Sequence, residues 1–352
     1  MDYDAMERRP GGFRRFVAGL TSAVVTFVVL AVLAGGFGLW AYKGSGPKAR
    51  HGAATTVIFR RGAGVSEMAG ALSRAGVIRA PQFFLVAAEL SRSARRLKAG
   101  EYSFRSGASL SEVLRKIRSG DIVHHRITIP EGVASVQVAA ILNGSDVLTG
   151  QIPAPPEGSV LPETYEVVRG DSRAAVLQKM MDARDRMVAQ LWSQRKPGLP
   201  FATPEQAVTL ASIVERETAV PTERPRVAAV YINRLKVNMK LQADPTVIYG
   251  ITGGTPLGRG IRASELTAAT PYNTYVNFGL PPGPIGNPGR ASLAAVMDPP
   301  DTDELYFVAN GTGGHTFSKT YGDQTKNVAE WRQIEKSKAA LAGAPAAVKG
   351  KR

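Results

Sequence analysis

The sequence predicts an α+β protein in three stretches: a single N-terminal transmembrane helix, a small α/β module, and a helix-rich α+β domain with a small β-hairpin or sheet. Three observations lead there. Residues 16–42 contain no charged side chain. Between 56 and 152 a strand, a Gly turn and an amphipathic helix recur. From 157 to 337 helical periodicity alternates with loops dense in Gly, Pro and polar residues, closing on a hairpin. The other boundaries are a tail at 1–15, a linker at 43–55 and a flexible basic tail at 338–352.

The apolar run is Val, Leu, Ala, Phe and Gly almost throughout. As a helix, Phe16 to Trp40 would span about 37 Å, against a hydrocarbon core of about 30 Å. A secretory signal peptide has a shorter core, and no small-x-small cleavage site stands out after this one. The run therefore reads as an uncleaved signal anchor. Arg8, Arg9, Arg14 and Arg15 precede it against Asp2, Asp4 and Glu7, while Lys43, Lys48 and Arg50 follow. The positive-inside bias is modest, and it puts the tail in the cytoplasm and the body outside. Trp40 and Tyr42 stand where an interfacial aromatic belt belongs.

The remaining 300 or so residues are enough for two domains with cores of their own. The chain has no cysteine, which excludes disulfide stapling and Cys-ligated metals. Its net charge is +15; residues 1–50 hold seven basic and three acidic residues, leaving about +11 for the body. That field favours an anionic partner such as a membrane surface or an acidic wall polymer. Nucleic acid is disfavoured, since no compact basic patch interleaved with aromatics appears and the anchor removes the body from the cytoplasm.

The recurring unit is clearest in two copies. Phe59-Arg-Arg-Gly-Ala-Gly-Val-Ser-Glu67 leads into Met68, Leu72 and Val77. Phe104-Arg-Ser-Gly-Ala-Ser-Leu-Ser-Glu112 leads into Val113, Leu114 and Ile117. A fainter third copy is Ile129-Pro-Glu-Gly132, followed by Val136, Val138, Ala139 and Leu142. Each reads as a short strand, a Gly turn, a Ser cap with Glu close behind, and an amphipathic helix. Small βα units of this kind resemble the LysM-like modules of wall-binding proteins; an ordinary α+β spacer has the same pattern.

The most informative stretch is Leu210-Ala-Ser-Ile-Val-Glu-Arg-Glu-Thr218. Thr203 is a natural N-cap, Pro204 suits the first helical position, Gln206 completes a capping box, and Pro221 ends the helix. At about 100° per residue, Ala207, Leu210, Ile213 and Val214 fall within roughly 80° of Glu217, whereas Glu215 lies about 160° away. A carboxyl held among apolar side chains resists ionisation, so Glu217 has the makings of an acid near neutral pH. Alternatively it only reaches solvent at a frayed helix end.

Four more patches follow. Leu161-Pro-Glu-Thr-Tyr165 reads as a rigid turn. Leu241-Gln-Ala-Asp-Pro-Thr-Val-Ile-Tyr249 opens a short helix with Asp244 as N-cap and Gly250 as its stop. Pro271-Tyr-Asn-Thr-Tyr275 and Gly279-Leu-Pro-Pro-Gly-Pro-Ile-Gly-Asn287 are loops. Leu305–Ala309 and His315–Phe317 flank Asn310–Gly314 as a hairpin, and a helix around Asn327 to Ile334 closes the domain. His124, His125 and His315 show no metal-ligand spacing, and His315 reads as structural. No Ser/His/Asp triad, Walker loop or dinucleotide fingerprint is present.

Leu210–Thr218, Tyr231-Ile-Asn-Arg-Leu235, Leu241–Gly250, Pro271–Tyr275, Gly279–Gly283 and Gly313-Gly-His-Thr-Phe317 together, in this order, resemble the endolytic murein transglycosylases, the YceG-like family. The resemblance covers about 157–335, and the anchor and repeats extend it over nearly the whole chain. Val160-Leu161-Pro-Glu163 departs from the family's usual aromatic before Pro. The resemblance implies a bacterial inner-membrane enzyme that cuts nascent peptidoglycan strands internally. It would be a lytic transglycosylase that leaves 1,6-anhydro-N-acetylmuramic ends, needing no cofactor and no metal. Glu217 matches the catalytic glutamate. Gln242, Asp244, Tyr272, Asn273, Tyr275 and Asn287 are the candidates for holding the sugars. Peptidoglycan strands are the implied substrate and peptidoglycan synthases the implied partners.

Two other readings stay open. One is a muramidase that uses Asp244 or Glu163 as second carboxylate and water as acceptor. The other is a non-catalytic wall-binding scaffold.

Overall fold

The apolar run forms one helix, α1 (Gly12–Lys43), of which residues 19–43 are long and apolar enough to cross a membrane. The computed structural model describes residues 12–343; residues 1–11 of the expected tail and the part of the basic tail after residue 343 lie outside the described residues, while residues 12–15 belong to α1. Two compact units divide between His124 and His125.

The first unit continues with β1 (Ala54–Phe59), α2 (Val65–Arg74), α3 (Pro81–Leu90), β2 (Gly100–Arg105) and α4 (Leu110–Ser119). β1 and β2 pair antiparallel, with Ala54 opposite Arg105 and Phe59 opposite Gly100. The period-2 alternation turns Val57, Phe59, Tyr102 and Phe104 inward against Met68 and Leu72 of α2 and Val113, Leu114 and Ile117 of α4. The first two copies of the repeat therefore share one core. Their caps differ. Ser109 accepts from the Glu112 amide at 3.3 Å while the Glu112 carboxylate accepts from the Ser109 amide at 2.9 Å, whereas Gly64 caps α2 without a side chain. The helix α3, which the repeat pattern does not contain, starts on Pro81 at its first turn.

The second unit opens with β3 (His124–Thr128), α5 (Ser135–Gly144), β4 (Thr164–Val168) and α6 (Arg173–Ser193), with β3 paired to β4. Here the third copy of the repeat finds its core: Ile127, Ile129, Val138 and Leu142 pack with Val160, Tyr165, Val167, Val176 and Met180. The module expected over 56–152 is thus divided between the two units. The buried Arg173 donates to the carbonyls of Leu142 (2.7 Å) and Asn143 (3.2 Å), placing a cation at the C-terminal end of α5. In place of the expected turn, residues 161–163 run as irregular chain with a bend at Glu163; Thr164 and Tyr165 already belong to β4, and the Tyr165 hydroxyl donates back to the Leu161 carbonyl at 2.7 Å.

Next come α7 (Pro204–Glu217), α8 (Arg224–Lys236), α9 (Asp244–Thr252), the single turn α10 (Ala263–Leu266) and α11 (Arg290–Met297). The hairpin β5 (Tyr306–Ala309) with β6 (His315–Ser318) and the helix α12 (Tyr321–Gly343) follow. The capping box on α7 is formed: Gln206 N donates to Thr203 Oγ1 at 3.3 Å, and Gln206 Oε1 accepts from Ala202 N and Thr203 N. The helix ends at Glu217, ahead of Pro221, which starts a separate 3-10 turn. Asp244 is the first residue of α9 and not its cap; Ala243 holds that position without a side-chain bond. Gly250 does not stop α9 either. The left-handed residue that ends it is Gly253, at φ 62°. The hairpin has Ala309 opposite His315, and Asn310 Oδ1 accepts from the amides of Thr312 and Gly314 across its tip. The closing helix is longer than expected, so residues 338–343 belong to α12.

Two loop segments of the second unit run side by side. Gly132 N donates to Asn287 O at 2.8 Å, and Asn287 N donates to Val133 O at 2.9 Å. A Cβ added at Gly286 would stand 2.5 Å from the Gly132 carbonyl oxygen. Backbone cannot yield as a side-chain tip can, so Gly286→Ala is expected to destabilise the protein by about 1–3 kcal/mol. A urea titration followed by circular dichroism checks this; an unchanged midpoint would show that the two loops part freely.

Candidate active site

The helix α7 is buried on every face: each residue from Ala207 to Val214 is inaccessible. The helical wheel alone therefore does not single out a core stripe, and what separates its two final carboxylates is their partners. Glu215, with 3% of its side chain exposed, pairs with Arg224 at 3.0 Å and accepts from the Gly289 amide at 2.9 Å. Arg224 also reaches Glu131 at 3.2 Å. Glu215 is thus a structural anion whose charge is balanced.

Glu217 is placed differently. Its residue surface is partly open, yet its carboxyl is desolvated, and burial pushes its pKa from the usual range up to about 7. A hydrogen bond from Tyr231 opposes that rise, the negative Asp244 adds to it, and His315 and Arg234 oppose it. Glu112, Glu223 and Glu265 shift in the opposite direction. The Tyr231 hydroxyl donates to Glu217 Oε1 at 2.7 Å, and Tyr231 itself is 1% exposed. Burial, with Glu217 alongside, raises the Tyr231 phenol well above its ordinary range, so it stays a donor.

Arg234 lies one turn beyond Tyr231 on α8. It is buried, donates from Nε to Leu305 O at 2.7 Å and from a terminal nitrogen to Leu241 O. The β5–β6 hairpin approaches through Phe307, which meets the Tyr231 ring edge-on at 5.8 Å. On β6, His315 Nδ1 lies 2.7 Å from Glu223 Oε2, and the His315 amide donates to Glu223 Oε1 at 2.8 Å. Burial raises the Glu223 carboxyl, but the bonds and charge of His315 and the Thr218 hydroxyl together hold its pKa below the usual range. With Glu223 ionised, the ring proton sits on Nδ1.

The residues expected to hold sugars divide into two groups. Asp244 and Gln242 are exposed at the start of α9. Gln242 takes a left-handed φ of 51°, with its amide bonded to Thr274 O at 3.1 Å. The Tyr275 hydroxyl donates to Asp244 Oδ1 at 2.6 Å, and Thr274 Oγ1 accepts from Ala243 N at 2.9 Å. This binds the 271–275 loop to α9 near Glu217. Tyr272 is half-buried against Tyr249, ring centres 4.9 Å apart, and Tyr249 donates to Glu157 at 3.1 Å.

Asn273 and Asn287 do not have free side chains to offer. Asn273 is fully buried; Nδ2 donates to the carbonyls of Glu265, Leu266 and Ala268, and Oδ1 accepts from Tyr275 N. Asn287, also fully buried, accepts from Val160 N at 3.0 Å and donates to Val133 O at 3.0 Å. Where sugar contacts were expected, the structure has both amides holding loops together. Among the described residues no three His, Asp or Glu side chains cluster as a metal site would need.

Sequence reasoning missed Tyr231, Arg234 and Glu223 as members of this site and took His315 as merely structural. The signal available was Tyr231 and Arg234 three apart on one helical face, inside a string already singled out.

The YceG-like family model matches residues 57–330. The chain belongs to the YceG-like family. Among relatives, the endolytic murein transglycosylase of Bacillus subtilis strain 168 is 30% identical over 298 residues, covering 75% of this chain and 81% of that protein. The endolytic murein transglycosylase of Streptococcus pneumoniae (strain D39) is 27% identical over 324 residues; these cover 78% of this chain and 58% of the longer relative. The crystal structure of a yceG-like protein from Listeria monocytogenes matches with a TM-score of 0.50 at 28% identity, covering 78% of this chain and 98% of that one.

The two carboxylates in the last turn of α7 should respond to substitution in opposite ways. Glu215→Gln leaves Arg224 without its closest counter-charge in a buried position, a loss of about 3 kcal/mol. For Glu217 the folded pKa, about 7, lies above the ordinary 4.5. Between those two pH values the folded state holds a proton that the unfolded chain releases, so stability falls as pH rises through this window. Glu217→Gln removes that penalty. The variant should match wild type below about pH 4.5 and exceed it by up to about 3 kcal/mol above pH 7. Thermal unfolding across pH 4 to 9 tests both, and a Glu217→Gln variant less stable than wild type at pH 8 would contradict the desolvation account.

Proposed function

We propose that the protein is an endolytic peptidoglycan lytic transglycosylase acting through Glu217 as its sole acid and base. The observation that carries this reading is a desolvated carboxyl with a pKa near 7, held by the Tyr231 hydroxyl in a chain whose relatives are named endolytic murein transglycosylases. Protonated Glu217 donates to the oxygen linking N-acetylmuramic acid to N-acetylglucosamine, and the bond from that oxygen to the muramic C1 breaks. The muramic N-acetyl carbonyl shelters the cationic C1. Ionised Glu217 then takes the proton of the muramic 6-hydroxyl as O6 attacks C1 and closes the 1,6-anhydro ring. The enzyme ends as it began, protonated, with no water consumed.

In this reading Tyr231 aims the carboxyl and Arg234 and His315 stabilise its ionised form midway. Gln242, Asp244, Tyr272 and Tyr275 line the approach for sugar hydroxyls and ring faces. The helix α1 is the anchor, with the tail cytoplasmic and the body on the outer side of the inner membrane, close to nascent strands and their synthases. Glycan binding by the βα repeats belongs to the same reading.

A second reading is favoured by one observation: Asp244 is near enough for its charge to raise the Glu217 pKa. In a muramidase it would serve as the second carboxylate, with water as acceptor. Digestion of purified peptidoglycan separates the two. The transglycosylase yields anhydro-muramic ends by mass spectrometry and the muramidase reducing muramic ends, while Glu217→Gln should abolish cleavage, a drop of at least about 1000-fold. Full activity in that variant would remove Glu217 from the chemistry.

The pH profile tests the same assignment. Free enzyme must carry the proton, so kcat/KM should be high in mild acid and fall as pH rises through about 7. Tyr231→Phe deletes a bond that favours the ionised carboxyl, so the alkaline limb should move to higher pH. A limb that stays put in that variant would mean the hydroxyl does not tune Glu217.

A further inference from the structure

The helix α3 has one face in the core of the first unit and one face that, among the described residues, is largely exposed. Phe84 and Ala88 point inward and are fully buried. Phe83, Val86 and Leu90, spaced i, i+3, i+7 and so aligned on one stripe, are 41%, 57% and 82% exposed. A stripe of large apolar side chains that becomes more exposed toward its end is not what water-facing helices carry.

Its position along α1 identifies what covers it. The Phe83 ring meets Phe37 of α1 edge-on, with centres 6.1 Å apart. Phe37 in turn lies 5.8 Å from Trp40, and Arg79, just before α3, sits 5.5 Å from the Trp40 ring and donates to Ser45 O at 3.3 Å. With α1 spanning the bilayer, Trp40 belongs at the outer interface and Phe37 about 4.5 Å deeper. Phe83 is therefore at membrane depth, and Val86 and Leu90 extend along the same stripe. The cleft between the two helices is apolar, lined by Gly38, Leu39, Tyr42, Phe83, Val86 and Leu90. Arg92, Arg95 and Arg96 are exposed immediately past the end of α3, against Glu89 alone on its last turn.

We propose that the exposed face of α3 lies in the outer-leaflet interface, with Phe83, Val86 and Leu90 among phospholipid acyl chains and Arg79, Arg92, Arg95 and Arg96 on anionic headgroups. This rests on the reading of α1 as the membrane anchor. Apolar burial and several arginines near an anionic surface act together in such interfacial helices. The first unit is then held to the bilayer at a second place besides α1, which fixes the tilt of that unit.

The chain has no cysteine, so single cysteines can be placed and labelled without background. The full chain, carrying an NBD fluorophore at Leu30→Cys, Val86→Cys or Leu90→Cys, is reconstituted with its body outward in phosphatidylcholine vesicles with or without phosphatidylglycerol. Positions 86 and 90 should show blue-shifted emission, loss of fluorescence to a shallow doxyl phospholipid, and protection from iodide. The doxyl effect should be larger with phosphatidylglycerol, and Arg92→Glu/Arg95→Glu/Arg96→Glu should remove that difference. Position 30 reports on the anchor. Doxyl quenching at 30 with iodide quenching at 86 and 90 overturns the docking of α3 and leaves the anchor standing. Iodide quenching at 30 overturns both. Protection from both quenchers at 86 and 90 would mean that protein covers this face, and that also overturns the proposal.

Discussion

A helix enclosed on all sides can carry a charged residue only at its ends, and α7 illustrates how much follows from that constraint. From Ala207 to Val214 every position is inaccessible, and α6, α8, α9 and α11 all pack around it. Its charged residues come at its two ends, Glu205 in the first turn and Glu215, Arg216 and Glu217 in the last, where the chain is about to leave the core. Water is scarce there but other chain segments are close, so each carboxylate must be satisfied by protein or remain uncharged.

Two residues of that last turn meet the demand in opposite ways. Glu215 is given a guanidinium and a backbone amide and is built into the frame. Glu217 is given a phenol that never ionises in the working range, with Arg234 and His315 acting only from a distance. One hydroxyl is too little to hold a carboxylate fully charged in a desolvated spot, and that is the state from which a proton can be passed and taken back. Phe307 of the hairpin packs edge-on against the Tyr231 ring, so the hairpin helps cover the phenol that holds the Glu217 carboxyl.

Much of this was legible in the chain. The capping box on Thr203 and Gln206 fixes where α7 starts, and local chemistry of that kind is encoded within four residues. The hairpin was legible for the same reason, since Asn310–Gly314 is a self-contained turn. Glu217 stood out through its string and its apolar company. What sequence could not supply were pairings across long separations. Asn287 faces Val160 across 127 residues, and Asn273 gathers carbonyls from a turn before it; an amide ready for a sugar and one holding a loop look identical as letters. The third repeat copy posed the same difficulty. Its pattern matches the first two, but its partners, β4 and α6, come later in the chain.

Glu223 ties two pieces of the site together. One oxygen accepts from the His315 amide; the other faces His315 Nδ1 at 2.7 Å and the Thr218 hydroxyl at 3.4 Å, next to the end of α7. Such a clasp links the opening of the hairpin to the loosening of the residue after Glu217. The His315 amide can exchange its hydrogen only when the clasp lets go, so one slow backbone proton reports how often the whole site breathes. Salt and pH, by weakening a charge-assisted grip, would set the tempo of that breathing even where they leave the folded structure intact.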